Sequence, residues 1–115
     1  MKAVLLSGDL MVVSRVEGAA AQVGAAVRAV SSAVLAIEAC ESGSADVLAI
    51  DLATPALDMA AIVSQLKASR GTSLRIVAFG PHVHEDKLAA ARDAGCDVVV
   101  SRGQFFAQVG AILSG

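Results

Sequence analysis

Five short apolar runs punctuate the chain, at residues 3–7, 26–30, 47–51, 75–79 and 97–101. The first, third, fourth and fifth are almost continuously apolar, as strands covered on both faces must be. The second carries Arg28 in its middle, which suits a strand nearer the sheet edge.

Between the runs the period lengthens to that of a helix. Val12, Val16, Ala19, Ala20 and Val23 fall on one face, and Gly24 stops the pattern. Ser31 or Ser32 can cap a second helix reaching Cys40. Asp58 can cap a third, whose Met59, Ile62, Val63 and Leu66 form a single stripe ending near Gly71. Residues 84–94 predict a fourth, with Glu85 and Asp86 in its first turn and Gly95 just beyond its end. Residues 104–113 predict a fifth, with Phe105, Phe106, Val109, Ile112 and Leu113 apolar. Five strand–helix repeats imply a parallel sheet with right-handed crossovers and helices on both faces, a three-layer α/β/α sandwich.

Composition agrees with that layout. The 115 residues suit one domain, 1–115, and 56% are hydrophobic, mostly small or β-branched. The net charge of -2, with no basic cluster, gives no reason to expect nucleic acid. No long apolar stretch predicts a membrane span and no leader pattern precedes the first strand, so a cytoplasmic chain without an output domain is expected. Cys40 and Cys96 form no C-x-x-C pair and are expected to be reduced, partly buried thiols.

In an open parallel sheet, ligands bind beyond the carboxyl ends of the strands. Ser7, Gly8 and Asp9, residues 51–55, residues 80–84 and Arg102 are expected there. Asp51 closes the most apolar strand, where a carboxylate can act as nucleophile, metal ligand or turn cap. His82 and His84 beside Glu85 and Asp86 are a weaker metal-binding pattern, since the spacing does not force the ligands to converge. Ser7-Gly8-Asp9 lacks the richness in Gly, Ser and Thr of a phosphate-cradling turn, and no Trp or Tyr is present to stack on a flavin.

Almost the whole chain resembles the receiver domain of bacterial response regulators. Asp51-Leu-Ala-Thr-Pro55 is similar to the family's phosphoacceptor segment, and Ala94-Gly95 before the last strand fits its second half. The resemblance implies a flavodoxin-like, doubly wound five-stranded sheet of order 2-1-3-4-5. It also implies Asp51 as the phosphoacceptor candidate, with Asp9, Gly80 and Arg102 as neighbours.

The departures from the family pattern fall on its phosphorylation machinery. Ser7 and Gly8 stand where an acidic pair holds Mg²⁺, and Asp9 is acidic one residue later. Gly80 replaces a hydroxyl residue, Val99 an aromatic switch, and Arg102-Gly103 a Lys-Pro pair. Asp9 and Asp51 alone make a poor oxygen cage, so Mg²⁺ binding is expected to be weak or absent and no other cofactor is expected. These substitutions point to a non-enzymatic pseudo-receiver, a signalling module that binds proteins largely independently of Asp51 phosphorylation. The alternatives are a genuine phosphoacceptor and a small-molecule-binding flavodoxin-like protein. The resemblance places a protein partner or homodimer on the face built from the fourth helix, fifth strand and fifth helix. Its expected contact residues are Leu88, Ala91, Arg92, Val99 and Phe105.

Overall fold

A computed structural model describes residues 1–114. Strand and helix alternate: β1 (Lys2–Leu6), α1 (Leu10–Val23), β2 (Ala26–Val30), α2 (Ala33–Ser42), β3 (Val47–Asp51), α3 (Met59–Arg70), β4 (Arg75–Gly80), α4 (Glu85–Ala94), β5 (Val98–Ser101) and α5 (Arg102–Ser114). A 3-10 turn, Gly71–Ser73, joins α3 to β4. All four strand pairings are parallel and the order is β2-β1-β3-β4-β5, as expected. β3 is buried along its whole length, whereas β2 and β5, at the two edges, are largely exposed or half-buried.

Alternation along the strands feeds two cores. Ala3 and Leu5 of β1, Val47 and Ala49 of β3, and Val77 and Phe79 of β4 pack against α1 and α5. Val4, Leu6, Leu48, Ile50, Ile76 and Ala78 face α2, α3 and α4. Burying a Leu, Ile or Phe side chain in such a layer contributes about 1.5–3 kcal/mol. The three Phe residues of the chain meet on the α1–α5 side, where Phe79 and Phe105 stack at 3.9 Å between ring centroids and Phe106 meets Phe105 edge-on. Phe105 enters the core and Phe106 stays half-buried under the guanidinium of Arg15.

Helix ends follow local chemistry. Ser32 caps α2 and Asp58 caps α3, each accepting a backbone N–H two or three residues into the helix. α5 begins two residues earlier than the apolar pattern predicts. Ser101 Oγ accepts the Gln104 N–H at 3.2 Å while Gln104 Oε1 accepts the Ser101 N–H at 3.0 Å. This reciprocal capping box runs β5 directly into α5 and makes Arg102 the helix's first residue.

Candidate functional site

Asp51 ends the central strand β3 with only 4% of its surface exposed. Both carboxylate oxygens are occupied by donors from the chain itself. Oδ2 accepts the Ser7 hydroxyl at 2.8 Å, and Oδ1 accepts the Ala53 N–H at 3.0 Å in a local Asx turn. Ser7 is also buried; its N–H donates to Val30 O and its hydroxyl oxygen accepts the Asp9 N–H at 3.1 Å. One serine therefore joins the carboxyl ends of β1, β2 and β3. Its position after strand one marked it as a lost metal ligand; its role as the hydrogen-bond donor to Asp51 depends on strand pairing that no local pattern reveals.

Asp9 serves a different end. Its Oδ1 accepts the N–H groups of Met11 and Val12, capping α1, and its Oδ2 accepts Arg102 Nη2 at 2.9 Å. The Arg102 guanidinium, followed by the two amides, holds the Asp9 carboxyl below the usual carboxylate range. The arginine thus answers Asp9 at the rim, not Asp51 beneath it. Pairing there leaves both groups about two-fifths exposed, so neither bears the desolvation that an ion pair at the buried Asp51 would require.

The third neighbour, Gly80, ends β4. A Cβ at this position would lie 3.3 Å from Leu52 Cβ, so an alanine would need the Leu52 side chain to give by a few tenths of an ångström. The following β3–α3 loop contains Ala56 at φ 60, a left-handed conformation that costs a side-chain-bearing residue about 1–2 kcal/mol. It also holds a buried Thr54 Oγ1 without a protein partner among the described residues. His84 sits at the start of α4 with Nδ1 buried and unpartnered, and His82 is exposed.

These groups do not fit Mg²⁺. Asp9 faces a guanidinium, and Ser7 and Gly8 supply no second carboxylate, so Asp51 stands alone, although each of its oxygens keeps a lone pair beyond the one hydrogen bond it accepts. Among the described residues no three His, Cys, Asp or Glu side chains converge. Both thiols are pushed up to about 11, chiefly by burial, which leaves Cys40 and Cys96 protonated and poorly nucleophilic near neutrality.

Three of the expected contact residues need correcting. Leu88 and Ala91 point inward among the α2–α3–α4 core, and Phe105 is stacked on Phe79. They are inside because they belong to the apolar stripes that attach α4 and α5 to the sheet, and the same side chains cannot serve a second surface. Arg92 is exposed and Val99 half-buried, so the outer face of α4 is charged and Ala-rich with no exposed large apolar side chain.

No family model matches the chain, and no curated protein matches it. Solved structures do. The receiver domain of the sensor histidine kinase PA1611 from Pseudomonas aeruginosa PAO1, which holds a magnesium ion in its active-site cleft, is 18% identical with a TM-score of 0.81, over 97% of this chain and 93% of that one. A response regulator from Hahella chejuensis is 16% identical with a TM-score of 0.81, over 98% and 92%. The orphan response regulator HP1043 of H. pylori is 12% identical with a TM-score of 0.76, over 99% and 91%. The chain has the fold of response-regulator receiver domains.

Proposed function

We propose that this chain is a receiver-like signalling module that acts by binding protein and not by switching on phosphorylation of Asp51. The observation that carries the reading is the missing cationic support around Asp51. Its carboxylate is buried and accepts one hydrogen bond on each oxygen, from Ser7 and Ala53. Phosphoryl transfer to a carboxylate needs cationic compensation of the developing charge. Here the nearby guanidinium is bound to Asp9, and the donor set does not fit a metal. The fold shared with receiver domains supports the signalling role.

In this reading the protein has no enzymatic activity, needs no cofactor and works in the cytoplasm. A heterologous partner on the α4–β5–α5 side meets Ala90, Arg92 and the half-buried Val99, since Leu88, Ala91 and Phe105 are committed to the core.

The second reading, a genuine phosphoacceptor, is favoured by one observation: Asp51 closes the central strand at the carboxyl end of the sheet, where such folds place their chemistry. Incubation with a small acyl-phosphate donor and Mg²⁺, followed by intact-mass measurement, separates the two. The expected result is no stable adduct. A substantial fraction gaining one phosphoryl group, and losing that gain in Asp51→Asn, would establish the second reading.

A further inference from the structure

Of the seven large apolar side chains left exposed among the described residues, Met1, Val23 and Val83 stand apart and four gather at two neighbouring helix starts. Leu10 (82% exposed) and Met11 (74%) lie in the first turn of α1, and Val34 (66%) and Leu35 (43%) in the first turn of α2. Between these turns, over the edge strand β2, runs an open groove of ≈ 460 Å³ whose lining includes Leu10, Val13, Ala29 and Leu35, with Arg28 on its wall. Clustered apolar exposure of this kind on a small domain marks an interaction surface.

The charges beside the groove indicate the occupant. Arg28, in the middle of β2, is exposed and makes no ion pair among the described residues. Glu38 is also exposed and without an ion pair, and it lies one helical turn beyond Val34 and Leu35 on α2. The chain therefore carries both halves of a complementary contact. One half is an apolar groove with a cation; the other is a helix segment with an exposed valine and an anion one turn apart. A two-fold axis brings each half against the other twice, because an isologous interface repeats every contact.

We propose that a second copy of this chain docks across the β2 edge, with Val34 and Glu38 of each protomer meeting the Leu10–Leu35 groove and Arg28 of the other. This dimer covers the β2 edge and the mouth of the β1–α1 turn, where Ser7 and Gly8 line the same groove. It involves a face remote from α4 and stands whether or not Asp51 accepts phosphate.

Sedimentation equilibrium of the full chain over a wide concentration range tests it, with circular dichroism confirming that each variant is folded. The wild type is expected to dimerise. Arg28→Glu and Glu38→Arg should each weaken the dimer by at least about tenfold through like-charge contact across the axis. The double variant, or an equimolar mixture of the two single variants, should recover association. Arg28→Glu keeps a charge on the strand edge and reverses only its sign, which separates an intermolecular ion pair from simple protection of the edge. Val34→Lys, at a strongly exposed position, should weaken the dimer without unfolding the chain. A monomeric wild type at high concentration overturns the proposal. So does a dimer that survives the charge reversals, a double variant that fails to recover, or a dimer dissolved by Ala90→Glu and not by Arg28→Glu.

Discussion

At the amino end of the sheet, Arg70 donates from its two terminal nitrogens to the carbonyls of Cys40 and Ala45 at 2.6 and 2.7 Å. Asp46 Oδ2 accepts the Lys2 N–H and Asp97 Oδ2 accepts the Ile76 N–H, so two carboxylates close strand ends there. At the carboxyl end, the comparable carboxylate is Asp51, supported by one hydroxyl and one amide, and around it lie a left-handed Ala56 and unpartnered Thr54 Oγ1 and His84 Nδ1. The first end is stitched by charge-assisted hydrogen bonds that tie α2, α3 and the strands into one unit. The second holds a left-handed alanine and two buried polar atoms with no protein partner among the described residues. The two ends therefore differ in how fully their polar groups are partnered within the described residues.

The largest effect should come from the amino end. Arg70→Met removes the donors of two carbonyls belonging to buried residues, at about 1–3 kcal/mol for each group left unsatisfied. Urea denaturation should show a total loss of about 2–4 kcal/mol with an unchanged slope. A loss no greater than that of an ordinary surface substitution would erase the contrast.

Ser7→Ala probes the other end. It removes the hydroxyl from Oδ2 of Asp51 and the acceptor of the Asp9 N–H, and should cost about 1–3 kcal/mol. Combined with Asp51→Asn in a double-mutant cycle, the two changes should be clearly non-additive. Additive effects would mean that the hydroxyl and carboxylate do not act as a unit.

A smaller effect of opposite sign is expected at Ala56. Ala56→Gly relieves the left-handed backbone but loosens the unfolded chain, for a net stabilisation of up to about 1 kcal/mol. Destabilisation by thermal or urea unfolding would show that Ala56 is not under strain.

The smallest effect belongs to the rim. Because Arg102 lowers the pKa of Asp9 in the folded state, the contribution of that carboxylate is complete above the ordinary carboxylate range and disappears as pH falls through its lowered folded value. Asp9→Asn keeps a capping side chain for α1 while removing the charge, and should flatten this part of the acid limb of the stability–pH curve. An unchanged acid limb would separate the ion pair from stability altogether.

The framework of the fold was legible because its signals are local and repeated. Continuous apolar runs marked the inner strands β1, β3 and β4 but also β5, a half-buried edge strand; Arg28 marked the other edge, and Ser32, Asp58, Gly24 and Gly95 marked helix ends. The early start of α5 was readable too, since Ser101-x-x-Gln104 is a capping-box spacing, but the Phe pair drew the predicted start to residue 104. The site was legible as a set of positions and not as contacts. That Arg102 would pair with Asp9, and that Ser7 would donate to Asp51, depends on the juxtaposition of β1, β3 and α5 across 44 and 93 residues of sequence. Three of the contact residues expected on the α4–β5–α5 face were misplaced for a different reason. An apolar residue such as Leu88 or Phe105 looks the same in sequence whether its stripe faces the sheet or a partner, and here the sheet takes both.

The central claim is that Asp51 is a buried carboxylate without the second, free carboxylate that would let it recruit Mg²⁺. The most direct measurement follows the amide resonances of Asp9, Asp51 and Gly80 by NMR while Mg²⁺ is added. The account predicts small, non-saturating shifts indistinguishable from ionic-strength effects. Saturating shifts at those three amides at or below low-millimolar Mg²⁺ would contradict it.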